Sequence, residues 1–128
     1  MPFNKPEKEI FSRSNGLPFS LALGYGDLVF ISGTVGRDPR TKTIAKGDVA
    51  SQTRQTLENI KTQLELAGTS LDKVVKATVY LVCMDDFSIM NEVYRDFFPV
   101  DPPARSTIGV ASLPEKEILV EIEVIAGR

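Results

Sequence analysis

The chain has no histidine among its 128 residues. That absence removes imidazole as a general acid, general base or metal ligand, and with it Ser-His and Cys-His nucleophilic pairs and the usual zinc sites. A single cysteine, Cys83, leaves no intramolecular disulfide to form. Set in the run VVKATVYLVCM, Cys83 reads as a small buried hydrophobe rather than a reactive thiol. No glycine-rich phosphate loop is present: GYGD at 24–27 lacks the strand-to-helix setting of a nucleotide fingerprint and reads as a hairpin turn. Fifteen basic residues against 17 acidic ones give a net charge of -2 with no Lys/Arg cluster, so the electrostatic footprint of a nucleic-acid binder is missing. The longest apolar stretches are broken by Lys76 or by glutamates, and none is fit to span a bilayer. The polar opening MPFNKPEKEI does not have the form of a secretory signal, which makes the cytoplasm the expected address.

What is present fits one α+β domain over residues 1–128. KEIFSR (8–13) reads as a short strand, and SLALGYGDLVFISG (20–33) as two strands about a tight Gly-Asp turn. From Asp48 the period changes. Ala50, Thr53, Leu57, Ile60, Leu64 and Ala67 recur at helical steps, with Asp48 as N-cap and Gly68 as the stop. Residues 73–84 alternate and are β-branched, hence a strand. Asp85-Asp86 then opens a second helix with Phe87, Met90, Val93, Tyr94 and Phe97 inward, ended by Pro99. Strands over 105–112 and 118–126 complete the order βββαβαββ: a mixed six-stranded sheet with two crossover helices on one face.

Two helices cover only one side of a sheet. In the strand at 73–84 the alternation places Val75, Ala77, Val79, Leu81 and Cys83 beneath the helices, yet Val74, Tyr80 and Val82 lie on the other face. ILVEIEVIA likewise carries apolar residues on both faces. A bare apolar sheet face marks an interaction surface, and packing between copies of the chain under cyclic symmetry is the economical cover.

PPARSTIGVASLP (102–114) fixes a permanent positive charge, Arg105, behind a Pro-Pro-Ala stretch that the prolines hold extended. A solvated surface arginine needs no such frame, so Arg105 is expected to await an anion. On the last strand Leu119, Glu121, Glu123 and Ile125 share one face. Glu123 reads as solvated. Antiparallel pairing of this strand with the one that carries Arg105 would bring Glu121 within reach of the arginine. A structural ion pair and a catalytic pair explain that spacing equally well.

PARSTIGVASLP followed by LVEIEVIA closely resembles the hallmark segment of the reactive-intermediate deaminase family (RidA, YjgF, L-PSP). The likeness extends in order through LVFISG, QTRQTLENIKTQLELAG, VVKATVYLV and DDFSIMNEVYRDFF, covering residues 10 to 126. It implies a chorismate-mutase-like fold, a homotrimer with a cleft at each interface, and no cofactor. It further implies hydrolysis of reactive enamines and imines, such as 2-aminoacrylate and 2-iminopropanoate, to 2-keto acids and ammonia. Pyridoxal-phosphate enzymes release such intermediates, a metabolic link that requires no contact. By this resemblance Arg105 holds the substrate carboxylate and Glu121 orients or activates water. The Thr107 backbone carbonyl accepts from the substrate nitrogen, while Ser32 and Gly33 wall the cleft and Asn91 adds an amide from the second helix. Phe19 stands where relatives often have tyrosine, Thr107 where many have cysteine, and PEKEI holds an extra residue in its turn. Those departures leave open a carboxylate-binding or regulatory trimer without turnover. The endoribonuclease activity attached to some relatives ranks last, for want of histidine and a basic stripe.

Overall fold

The computed structural model describes residues 7–128; the first six, part of the polar opening read above, lie outside the described residues. The strands are β1 (Glu9–Arg13), β2 (Ser20–Tyr25), β3 (Leu28–Val35), β4 (Val74–Leu81), β5 (Ala104–Gly109) and β6 (Val120–Gly127). The helices α1 (Val49–Leu66) and α2 (Phe87–Phe97) follow β3 and β4, which is the expected order βββαβαββ. Local chemistry sets these boundaries. The Asp48 carboxylate accepts from the Ser51 N–H at 3.1 Å, capping α1. At its far end Gly68 takes φ +78, and the Gly68 and Thr69 N–H groups close back on the carbonyls of Glu65 and Leu64.

The six strands form one sheet in the order β1-β2-β3-β6-β4-β5, parallel only between β4 and β5. The last strand is thus inserted between β3 and β4, making those two parallel across it. Both helical crossovers therefore advance the same way across the sheet, and the right-handed rule puts both helices on one face. Beneath them lies the core: Ala22, Val29 and Ile31 from the first hairpin, Ala77, Val79 and Leu81 from β4, and Val120, Ile122 and Val124 from β6, closed by Leu57, Ile60, Leu64 and Met90 of the helices. Among the described residues no helix is long and apolar enough to cross a membrane.

Four local expectations fail. The antiparallel pairing of β5 with β6 does not occur, because β4 lies between them. The register of β4 against β6 slips between Val74 and Lys76, leaving Val75 as an extra residue. Val74 consequently turns inward, 6% exposed, while Val75 is 54% exposed, the reverse of strict alternation. Cys83 is exposed, since β4 ends at Leu81 and the cysteine falls in the turn beyond the sheet. Phe87 is likewise exposed at the first turn of α2, and the Asp86 side chain makes no capping hydrogen bond there.

The opposite sheet face has no helix over it. Tyr25, Leu28 and Phe30 are exposed there, beside half-buried Leu21, Leu23 and Ile125. Alternation places the second apolar face on Val74, Tyr80 and Val82 and on the last strand; Val74 turns inward instead, and the exposed apolar residues of this face come from β2 and β3.

Candidate active site

Arg105 lies in register with the buried Ala77 of β4, so its side chain leaves the sheet on the helix side. The strand that carries it, β5, is the outer edge, and α2 supplies what the guanidinium rests on. Asn91 accepts a hydrogen bond from Arg105 Nη2 at 2.7 Å. The guanidinium carbon stands 4.6 Å from the Tyr94 ring centroid and 5.8 Å from that of Phe87. Among the described residues no carboxylate pairs with Arg105; the ion pairs are made by Arg37, Arg40, Arg54 and Arg128. A half-buried, permanently charged fork therefore keeps most of its donors for something else. Beside it, Asn91, Tyr94, Arg95, Phe98, Pro102 and Pro103 enclose a cleft of about 310 Å³. Thr107 follows two residues later on the same face, in register with Val79.

Glu121 belongs to the other face. It pairs in register with Val35 on one side and Tyr80 on the other. Between Ile31 and Thr34, β3 carries one residue more than β6 opposite it, and this bulge contains Ser32 and Gly33. The bulge brings the Gly33 backbone against Glu121 so closely that a Cβ at position 33 would overlap the carboxylate. Ser32 Oγ donates to the Ser20 carbonyl at 2.5 Å, tying the bulge to the start of β2 next to exposed Phe19. Glu123 is exposed, but not free: the Tyr80 hydroxyl donates to its Oε1 at 2.7 Å. Burial raises the pKa of Glu121 above the usual carboxylate range, and the neighbouring charge of Glu123 raises it further. The bond to Glu123 likewise pushes the Tyr80 hydroxyl upward.

The residues singled out in the sequence thus fall into two groups. Arg105, Asn91 and Thr107 gather beneath α2, whereas Glu121, Gly33, Ser32 and Phe19 gather on the uncovered face. Within one chain Arg105 and Glu121 are separated by β4 and project from opposite sides of the sheet, so they form no ion pair. Sequence reasoning missed Phe87 and Tyr94 as neighbours of the arginine, reading both only as core positions of a helix. The signal was available in the i, i+4, i+7 spacing of Phe87, Asn91 and Tyr94, which sets an amide between two rings on one helix face.

The chain matches the family profile described as Endoribonuclease L-PSP over residues 13–127. It is 52% identical over 111 residues to a RutC family protein of Pyrococcus horikoshii, covering 87% of each chain. It is 40% identical over 114 residues to the 2-iminobutanoate/2-iminopropanoate deaminase of Salmonella typhimurium, covering 87% of this chain and 88% of that one. Among solved structures, a protein of the conserved Rid family from Yersinia pestis superposes with a TM-score of 0.90 at 38% identity, covering 95% of this chain and all of the other.

Proposed function

The chain belongs to the RidA/YjgF/L-PSP family, and from that premise we propose that it hydrolyses reactive 2-enamino and 2-imino carboxylates to 2-keto acids and ammonia. The observation that carries the reading is Arg105: a fixed guanidinium, seated on an amide and two rings, with no acidic partner among the described residues. Such a fork binds a carboxylate with two parallel hydrogen bonds at any working pH.

One copy cannot do this alone. Arg105 and Glu121 leave opposite faces of the sheet, and a substrate of a few carbon atoms cannot reach both. We place the reaction in a cleft between copies of a homotrimer, where the β5 edge of one subunit lies against the uncovered face of the next. The exposed Phe30, Tyr25 and Leu28 on that face support this arrangement. No cofactor and no metal enter the reading, and we assign the enzyme to the cytoplasm.

In the joined cleft the enamine first takes its imine form by moving a proton to carbon. Arg105 holds the carboxylate, and the Thr107 carbonyl accepts from the imine nitrogen. A water beside Glu121 attacks the imine carbon, while Glu121 takes one water proton and delivers it to the nitrogen. The resulting carbinolamine passes its hydroxyl proton to the same nitrogen, the C–N bond breaks, and ammonia leaves the 2-keto acid. The Ser32–Gly33 bulge walls the water side, with Phe19 beside it. The raised pKa of Glu121 makes it a stronger proton acceptor than an ordinary carboxylate, which suits a group that takes and returns a proton.

The test follows the absorbance of enzymatically generated 2-aminoacrylate with wild type and with Arg105→Ala. Faster decay with wild type and decay at the buffer rate with the variant is the expected result. Loss of the clamp costs about 1.5–3 kcal/mol of carboxylate binding for each charge-assisted bond removed. Phe19 and Thr107 favour a second reading, a carboxylate-binding trimer without turnover. Tight binding of 2-oxobutanoate with no acceleration of 2-aminoacrylate decay would select it.

A further inference from the structure

The guanidinium of Arg105 faces a row of α2 side chains, Phe87, Asn91 and Tyr94, continued by Phe98 just past the helix end. Asn91 takes one N–H group, and one hydrogen bond leaves the plane of the fork free to turn about it. Tyr94 supplies what Asn91 cannot. Its ring lies 4.6 Å from the guanidinium carbon, nearer than Phe87 at 5.8 Å. The ring is only 6% exposed and packs against Phe98 at a tilt of 36°, with centroids 4.7 Å apart. Its hydroxyl is buried without a hydrogen-bond partner among the described residues. Burial raises the pKa of that hydroxyl while the nearby Arg105 guanidinium draws it down, so hydroxyl and ring both lie within reach of the arginine, and the ring face is the part that Tyr94→Phe leaves in place.

We propose that Tyr94 is a positioning residue, whose ring face holds the Arg105 guanidinium so that its unused N–H groups stay presented to a substrate carboxylate. The proposal rests on the reading of Arg105 as a carboxylate clamp. Packing alone would be served by any apolar side chain of similar size. Attraction between cation and ring is different, because it depends on the negative potential of the aromatic face.

The experiment replaces Tyr94 by phenylalanine, then by 3,5-difluoro- and 3,4,5-trifluorophenylalanine, which keep the shape and progressively drain the ring face. Calorimetric titration of the full-length protein with 2-oxobutanoate should give Tyr94→Phe an affinity within about twofold of wild type. The fluorinated series should weaken binding in steps, reaching about three- to tenfold at three fluorines. In turnover assays the loss should fall on KM rather than kcat, and the steps should vanish in an Arg105→Ala background. Flat affinity across the series overturns the proposal. A second measurement keeps it separate from the clamp reading: side-chain resonances of Arg105 in the ligand-free protein, compared with those of exposed Arg40. Ring-current shifts and slow guanidinium rotation, lost in Tyr94→Leu, support positioning even if wild type ignores 2-oxobutanoate, in which case the clamp reading alone fails. Arg105 signals as mobile and unshifted as those of Arg40 sink the positioning role.

Discussion

Gly33→Ala is predicted to separate folding from catalysis. An added Cβ would overlap the Glu121 carboxylate, stand 3.1 Å from its Cδ and reach ordinary contact with its Cγ at 3.5 Å. Only the end of the glutamate therefore has to move, and Glu121 is half-buried with rotatable bonds behind that end. Overpacking a rigid core costs about 1–3 kcal/mol. Here the carboxylate can swing aside, so the cost sits at or below the bottom of that range. Gly33 has a backbone that other residues adopt, and loss of glycine's freedom in the unfolded chain returns about 0.4–1 kcal/mol.

The net change in stability should then lie within about 1 kcal/mol, a small shift in thermal unfolding. Turnover responds differently, because a base displaced by about 1 Å loses on the order of a hundredfold. The 2-aminoacrylate substrate is labile in water, which places the expected loss at about ten- to a hundredfold. Binding of 2-oxobutanoate should stay near wild type, since the Arg105 seat on α2 is untouched. Thermal melts, calorimetry and decay of 2-aminoacrylate read the three quantities separately. Wild-type turnover in a folded Gly33→Ala protein would refute the placement of the catalytic carboxylate against this bulge.

Four further outcomes are expected. Glu121→Gln should cut turnover by about a hundredfold while keeping carboxylate binding, and Glu123→Gln should stay within a few-fold; the opposite pattern in initial rates would show that the wrong glutamate has been placed on the water. A carboxyl whose folded pKa is raised keeps its proton longer when folded, so wild type should lose stability as pH climbs from the ordinary carboxylate pKa through the raised one. Melts from acid to neutral pH should show that loss relieved in Glu121→Gln, and the acid limb of turnover should move to lower pH in Glu123→Gln because the second cause of the raised pKa is gone. Phe30→Arg, on the uncovered face, should leave a folded protein that sediments as a monomer and has lost turnover, whereas a trimer would count against that face as the subunit contact. Asp48→Ala should lower stability by about 0.5–2 kcal/mol through loss of the α1 cap, with kcat unchanged.

The elements were legible wherever a local signal and the tertiary environment agree. The Gly-Asp turn, the Asp48 cap and the Gly68 stop each name their own backbone geometry, and the helical spacing from Thr53 to Leu64 matches the buried face of α1. Where one residue is inserted, alternation misleads. Nothing in KVVKATV marks Val75 as the extra residue, because both valines are equally apolar and only the pairing with β6 decides which one turns inward. Cys83 fails for a similar reason. The apolar run continues past the last residue that has a strand beside it, so composition predicts burial where the sheet has already ended.

The sequence singles out candidate site residues, but their arrangement was not legible in it. Topology explains the difference: β5 and β6 are consecutive in sequence, and consecutive strands commonly pair, but β6 enters between β3 and β4 instead. That insertion moves Arg105 one strand away from Glu121. The register of β5 does the rest. Its apolar Ile108 faces outward, 45% exposed, while Arg105 and Thr107 turn toward the helices. A strand that turns its polar residues inward violates the pattern by which sheets bury themselves, and α2 answers it with Asn91 and Tyr94 rather than with aliphatic side chains. Conflict between local pattern and fold is where function is expected to reside. The sequence carries that conflict openly, as an arginine in an otherwise small and apolar strand. On the function proposed above, what it does not carry is the second chain needed to resolve it, because Arg105 as a carboxylate seat on one face and Glu121 as a proton acceptor on the other would meet only across a boundary between copies.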